Sequence, residues 1–174
     1  KIVENGTINW EKLKRIVELT VRFLDNVIDV NQYPLKEIER MTLANRKIGL
    51  GIMGWADLLA ELEIPYGSKK SLTLAETLMG FINTTALEYS VYLGKIKGSF
   101  PNFKKSIYRD TFEYLRNCTR TTIAPTGTIS IIAGCSSSIE PFFAIAYGRK
   151  LANSSIFEIN PVWEKKAATL KLLK

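Results

Sequence analysis

The chain has 174 residues, of which 46% are apolar, and a formal net charge of +7, and this apolar content is enough to fill the core of one ordinary domain. It contains no histidine and two cysteines, Cys118 and Cys135, without a CxxC spacing, which excludes Ser-His-Asp and Cys-His catalysis, His-ligated metals and a four-thiolate zinc site. No apolar stretch approaches the ~18 residues of a membrane span, no signal peptide is recognisable, and basic residues alternate with acidic ones, so we expect a soluble, cytoplasmic protein that binds neither a membrane nor nucleic acid.

The first predicted element is a helix that begins at Trp10, with Asn9 as its N-cap and Glu11 beside the positive end of the helix dipole. We expect it to end near Asn31, before Pro34. Apolar residues recur at intervals of three and four along this helix and predict one buried stripe, made of Leu13, Ile16, Val17, Phe23, Leu24, Val27 and Ile28.

Further helices are predicted over residues 36–45 and 55–62. A longer helix with a wide apolar face starts around Leu74, and we expect it to end at Gly94 and Gly98. The string "FPNF" at residues 100–103 predicts a loop, and residues 107–115 a short helix.

Residues 49–54, "GLGIMG", have the glycine spacing of a dinucleotide-binding loop. Such a loop needs a hydrophobic strand directly before it, but the preceding residues are "ERMTLANRK", and the acidic residue expected about 20 positions later would be Glu76, inside the long helix. We therefore interpret the segment as a short buried strand whose glycines let neighbouring groups approach closely, followed by a helix that packs back onto it. A dinucleotide-dependent oxidoreductase remains the less favoured alternative.

The string "TTIAPTGTISIIAG" at residues 121–134 predicts a short strand, a turn and an apolar continuation. Pro125 ends the strand, Gly127 is expected to take a positive φ, and Thr126, Thr128 and Ser130 supply hydroxyl groups. If a helix begins near Thr128, its first N–H groups converge with the positive end of the dipole behind them, which is a site for an anion such as phosphate. An ordinary capped turn is the alternative.

Three stretches, in this order, resemble the large chain of ribonucleotide reductases, and most closely the adenosylcobalamin-dependent class. They are "LDNVIDVNQYP" at residues 24–34, "NRKIGLGIMGWADLL" at residues 45–59 and "TIAPTGTISIIAGCSSSIEPFFA" at residues 122–144. The resemblance extends from about Trp10 to Pro161, which is nearly the whole chain.

The resemblance implies a helix-rich α/β fold that is part of a ten-stranded α/β barrel built from two parallel five-stranded halves. It implies that the "GLGIMG" segment is a barrel strand leading into a helix. It also implies that the substrate's terminal phosphates are held by the loop of Pro125, Thr126, Gly127, Thr128 and Ile129. The partners implied are a ribonucleotide substrate, the rest of the reductase chain and a second copy in a homodimer. The implied cofactor is adenosylcobalamin in the parent enzyme, with none held by this chain alone.

The chain departs from the family in its catalytic parts. The Asn-Pro-Cys-Gly-Glu type loop that carries the radical cysteine does not occur, and neither Cys118 nor Cys135 occupies a redox position of the pattern. We therefore expect residues 1–174 to be a single segment of the catalytic barrel, incomplete at both ends, that binds substrate phosphates and has no catalytic or metal-binding residue of its own. A stand-alone nucleotide-binding module without catalysis is the alternative, and the sequence leaves a diphosphate or triphosphate substrate open.

Overall fold

The computed structural model describes residues 2–4, 6–151 and 154–169. The chain divides into two compact units. Unit 1 consists of Lys1–Glu4, Ile8–Gly51 and Leu74–Ile123, and unit 2 of Asn5–Thr7, Ile52–Thr73 and Ala124–Lys174. The helices and strands follow in the order β1 (Val3–Glu4), β2 (Thr7–Ile8), α1 (Trp10–Val30), α2 (Lys36–Asn45), α3 (Trp55–Glu61), α4 (Lys69–Lys97), α5 (Gly127–Ala133), β3 (Ala146–Leu151), β4 (Ser154–Ile159) and α6 (Pro161–Thr169), with a 3₁₀ turn at Phe103–Lys105 between α4 and α5.

Helix α1 in unit 1 begins and ends as predicted. The side chain of Asn9 accepts a hydrogen bond from the N–H of Lys12 at 2.9 Å, and the N–H of Asn31 donates to the carbonyl of Val27 at 3.0 Å. The predicted stripe is correct only in part, because the buried apolar residues are Leu13, Val17, Val21 and Ile28, whereas Ile16, Phe23 and Val27 are exposed. The apolar residues of α1 thus form two stripes, and the described part of unit 1 covers one of them.

Helix α4 ends at Lys97, directly before Gly98 with its φ of 86°, so the predicted end is correct at Gly98, whereas the helix passes through Gly94. Gly94 is instead a packing position. A Cβ built on it would lie 2.8 Å from the backbone nitrogen of Leu115 and 3.0 Å from that of Arg116. The helix can therefore touch the backbone of the 115–116 segment only because this residue has no side chain.

The helix predicted at residues 107–115 is wrong, since these residues form turns. Leu115 forms a cluster with Phe100 and Phe103, and Tyr108 and Phe112 pack against this cluster, whereas Ile107 is 87% exposed. The N–H of Leu115 donates to the hydroxyl of Ser99 and its carbonyl accepts from Phe100, both at 3.0 Å, rather than from residues one helical turn away. Tertiary packing thus overrides the local helical pattern here.

The "GLGIMG" segment pairs in parallel with the predicted strand at residues 120–124. Leu50 forms a parallel bridge with Thr121, its N–H donates to Arg120 at 2.8 Å and its carbonyl accepts from Thr122 at 3.1 Å. A Cβ on Gly49 would lie 2.8 Å from the methyl group of Thr122. Helix α2, and not a strand, precedes the segment, which agrees with our rejection of a dinucleotide loop.

A buried polar network joins the first two family-like stretches inside unit 1. Asp25 is fully buried on α1, and its carboxylate accepts hydrogen bonds from Arg46 at 2.9 Å, from Asn117 at 3.0 Å and from Arg116 at 3.1 Å. Arg46 also donates to Asp29 at 2.7 Å, and this hydrogen bond lowers the pKa of the Asp29 carboxyl below its usual value.

The rest of the network fixes the chain before the parallel strand. Ser90 of α4 donates to the side-chain oxygen of Asn117 at 2.9 Å and accepts from the N–H of Asn117 at 3.0 Å. The side chain of Asn117 in turn donates to the carbonyl of Arg46 at 3.2 Å. The network therefore ties helices α1 and α4 to the residues that precede both members of the parallel pair.

Unit 2 contains α3, α5, α6 and an antiparallel hairpin that the sequence analysis missed. In this hairpin β3 pairs with β4, from Ala146 opposite Ile159 to Leu151 opposite Ser154. Asn160 caps α6, because its side-chain oxygen accepts from the N–H groups of Val162 at 3.0 Å and Trp163 at 3.3 Å. Helix α6 is described as far as Thr169.

The helix-rich character is confirmed. The strands described are β1, β2 and the hairpin of β3 and β4, together with the parallel bridge of Leu50 and Thr121. A ten-stranded barrel is not contained in these residues. No helix in the described ranges is long and apolar enough to cross a bilayer.

Candidate phosphate-binding site

The predicted phosphate loop leads into helix α5 of unit 2. The helix begins at Gly127, one residue before the expected start, and Thr126 is its N-cap residue. Thr126, with φ 53° and ψ 26°, lies in the left-handed region, and Gly127 does not have a positive φ. The assignment of the positive φ to Gly127 is therefore wrong, and a threonine takes that conformation in its place.

The first N–H groups of α5 face no protein acceptor. The N–H of Ser130 makes the first helical hydrogen bond, to the carbonyl of Thr126 at 2.9 Å. Within the described part of the chain, nothing accepts from the preceding N–H groups of Gly127, Thr128 and Ile129, as expected for the first turn of a helix. A Cβ built on Gly127 meets no heavy atom within 4 Å, and Gly127, Thr128 and Ile129 are exposed, so the first turn of α5 lies at the surface.

Two of the three hydroxyl groups assigned to the site are used inside the protein. Ser130 is buried, donates to the carbonyl of Gly127 at 3.1 Å and lies 2.9 Å from the hydroxyl of Ser137. The hydroxyl oxygen of Thr126 accepts from the N–H of Ser138 at 2.7 Å. Of the three residues, Thr128 is the exposed one.

Helix α3 of unit 2 contacts the segment that follows α5, and the sequence did not predict this contact. At the start of α3 the N–H of Gly54 donates to the carbonyl of Ser136 at 2.8 Å. The carboxylate of Asp57 on α3 accepts from the N–H of Ser136 at 2.5 Å and from the side-chain amide of Asn160 at 3.3 Å. The available signal was an acidic residue inside the apolar string "WADLLA", where its neighbours Trp55, Ala56, Leu58 and Leu59 are all buried.

A cavity of about 410 Å³ lies in the same unit, beside the second half of α5. Its walls include Ile131 from α5, Cys135, Ser136 and the aromatic pair Phe142 and Phe143. None of the five predicted phosphate-binding residues lines it. The predicted loop therefore lies outside the lining of this cavity.

The two cysteines are consistent with ordinary thiols. Neither Cys118 nor Cys135 forms a disulfide, and each belongs to a different unit. Among the residues described, no group of three or more cysteine, aspartate or glutamate side chains is arranged to hold a metal ion.

Comparison with known proteins gives a consistent result. A family profile described as "Ribonucleotide reductase, barrel domain" matches residues 1–115 and 112–174. The vitamin B12-dependent ribonucleoside-diphosphate reductase of Thermoplasma acidophilum is 46% identical over 170 residues, which is 97% of this chain and 22% of that protein. The enzyme of the same name from Mycobacterium tuberculosis is 42% identical over 167 residues, covering 96% of this chain and 24% of that protein.

A relative with a different name is more distant. The ribonucleoside-diphosphate reductase subunit alpha of Chlamydia muridarum is 34% identical over 179 residues, covering 82% of this chain and 17% of the relative. The chain thus spans about a quarter or less of the curated relatives it matches.

Proposed function

This chain belongs to the ribonucleotide reductase barrel-domain family, and from that premise we propose that it is the segment of a reductase that holds the phosphates of a ribonucleotide substrate. The residues proposed to bind are Pro125, Thr126, Gly127, Thr128 and Ile129. The proposed substrate is a ribonucleoside diphosphate, because the relatives are named for it.

One observation carries the proposal, namely the three N–H groups of Gly127, Thr128 and Ile129, which have no acceptor in the described chain and belong to exposed residues. Consecutive N–H groups in the first turn of a helix point in a similar direction, and the positive end of the helix dipole favours an anion there. A phosphate oxygen is an acceptor that satisfies several such donors at once.

We also propose that unit 1 supplies adjacent strands of the reductase barrel. Successive residues of a strand direct their main-chain N–H and carbonyl groups to opposite edges. We therefore propose that the residues next to Leu50 and Thr121 direct these groups to the edges that face away from the parallel pair, where further strands can bind. Large apolar side chains on α1 and α2 are exposed, among them Phe23 at 63%, Val30 at 78% and Met41 at 58%. Open strand edges and uncovered helix faces support a place within a larger parallel barrel.

The proposed role in the reaction is positional. Binding the terminal phosphates determines where the ribose lies relative to the reacting groups, and a displacement of ~1 Å can cost ~100-fold in rate. We assign no proton transfer or radical step to residues of this chain. The rest of the reductase polypeptide and a second copy of it are the proposed partners in the complete enzyme.

Adenosylcobalamin is the cofactor we propose for the complete enzyme, where it supplies the radical that starts the reduction. The cavity in the described part of unit 2 does not fit a corrinoid. The cavity of about 410 Å³ has the size of a pocket for a drug-sized ligand, and a corrinoid is far larger. The proposed mechanism for this chain therefore includes no contact with cobalamin.

The test is a comparison of Gly127→Asp with Gly127→Asn, with binding of ADP and adenosine measured by calorimetry. Both side chains enter open space, so the fold is retained, and an aspartate in the first turn of a helix is favourable for stability. We expect wild type to bind ADP more tightly than adenosine. The aspartate variant should bind ADP at least ~10-fold more weakly than the asparagine variant, because its charge repels the phosphates. Equal ADP affinity in the two variants would contradict the loop assignment.

A further inference from the structure

We propose that Asp57 is a positioning residue, which holds the phosphate loop in its binding conformation through the segment of residues 136–138. This inference rests on the proposed function of the loop. Asp57 is outside the loop, and we assign it no contact with the substrate.

The first step of the argument is that the 136–138 segment is fixed to helix α3. The carboxylate of Asp57 accepts from the N–H of Ser136 at 2.5 Å, and the carbonyl of the same residue accepts from Gly54 at 2.8 Å. The carbonyl of Ser138 lies 3.5 Å from the N–H of Trp55. Asp57 supplies the side-chain member of this set, and a hydrogen bond to an ionised carboxylate is stronger than one between neutral groups.

The second step is that the hydroxyl groups of Ser136 and Ser138 do not hold the segment. The side-chain oxygens of these two residues are buried, and neither has a hydrogen-bond partner in the described part of the chain. Ser136 and Ser138 are therefore positioned by their main chain, which is the part of Ser136 that Asp57 contacts.

The third step links the segment to the loop. The N–H of Ser138 donates to the hydroxyl oxygen of Thr126 at 2.7 Å, and the hydroxyl of Ser137 lies 2.9 Å from that of Ser130 in the first turn of α5. Thr126 has a left-handed backbone with φ 53°, which is unfavourable for a residue with a Cβ and needs support from surrounding contacts. Asp57 thus acts on the direction of the N–H groups that follow Thr126, by way of Ser136 and Ser138.

The two oxygens of the Asp57 carboxylate bind two different parts of unit 2. The second oxygen accepts from the side-chain amide of Asn160 at 3.3 Å, and Asn160 caps α6. Because both oxygens are engaged, the rotation of the carboxylate is restricted, and the oxygen facing Ser136 keeps its place.

The test uses Asp57→Ala, Asp57→Asn and the control Asp110→Ala, each titrated with ADP and with adenosine. Asp110 has an exposed side chain. We expect Asp57→Ala to weaken ADP binding about 10-fold, the cost of roughly one good hydrogen bond, and to leave adenosine binding unchanged. Asp57→Asn should recover most of the loss, because its amide oxygen still accepts from Ser136, and Asp110→Ala should bind both ligands like wild type.

The outcomes separate this inference from the proposed function. If wild type binds ADP and adenosine equally, the phosphate loop itself is refuted, and the role of Asp57 with it. If wild type prefers ADP and folded Asp57→Ala keeps the full preference, the loop stands and the role of Asp57 is refuted. If Asp57→Ala does not fold, Asp57→Asn decides, since a folded variant that loses affinity for both ligands alike has a structural defect and contradicts a positioning role.

Discussion

Asp25 lies fully buried in unit 1 with the guanidinium groups of Arg46 and Arg116 around its carboxylate and the amine of Lys97 3.6 Å away. A buried ion pair can cost as much in desolvation as it gains from the attraction of its charges, but removal of one partner leaves an uncompensated buried charge.

The backbone conformation of Thr126 in the phosphate loop is a feature that the sequence does not reveal. A glycine beside a threonine suggests that the glycine takes the unusual φ, but Thr126 takes it, and its hydroxyl oxygen accepts a hydrogen bond from the distant Ser138.

We expect Asp25→Asn to lower the free energy of unfolding by about 3 kcal/mol, because it removes the charge that compensates the buried guanidinium of Arg46 and the partly buried one of Arg116. Urea denaturation measures this change through the shift of the transition midpoint. The matched control is Asp110→Asn, where the exposed side chain pairs with the exposed Arg109 and a change of less than ~0.5 kcal/mol is expected. Similar midpoints for the two variants would show that the buried network does not stabilise unit 1.

At the scale of elements, helix positions followed from sequence where periodicity, caps and breakers agreed. Helices α1 and α2 have the predicted bounds, and α3 ends one residue before the predicted end. The helix prediction at residues 107–115 was wrong because Leu115, Tyr108 and Phe112 pack with Phe100 and Phe103. Local spacing of apolar residues does not encode this arrangement. The hairpin of β3 and β4 was not predicted, because the β3 string "AYGRKL" contains a glycine and two adjacent basic residues and lacks the alternation of apolar and polar residues that indicates a strand.

Gly94→Ala and Gly80→Ala test whether Gly94 is a packing position or a helix end. Alanine is a better helix former than glycine by ~1 kcal/mol, and at Gly80 an added Cβ meets no heavy atom within 4 Å, so Gly80→Ala should stabilise the protein by up to ~1 kcal/mol. At Gly94 the same Cβ would lie 2.8 Å from a backbone nitrogen, so Gly94→Ala should destabilise it by about 2 kcal/mol. Thermal unfolding checks both changes, and stabilisation at both positions would refute the close contact.

For the whole molecule, three ordered stretches predicted the family, and comparison with known proteins confirms it. The two compact units each carry a part of those stretches: the buried Asp25 network in unit 1 and the phosphate loop in unit 2. The barrel could not be derived in the same way, because a parallel sheet depends on strands contributed from distant parts of a chain, and the described residues hold one parallel bridge. The reductase reaction and its partners therefore remain proposals based on family membership.

The most direct measurement is a titration of the ¹⁵N-labelled chain with ADP, followed through its backbone amide resonances, with adenosine as the control ligand. The N–H groups of Gly127, Thr128 and Ile129 have no acceptor in the described chain, so new hydrogen bonds to phosphate should shift their resonances more than any others, and adenosine should leave them in place. If these three resonances stay unchanged while ADP saturates the protein, the loop does not hold the phosphates.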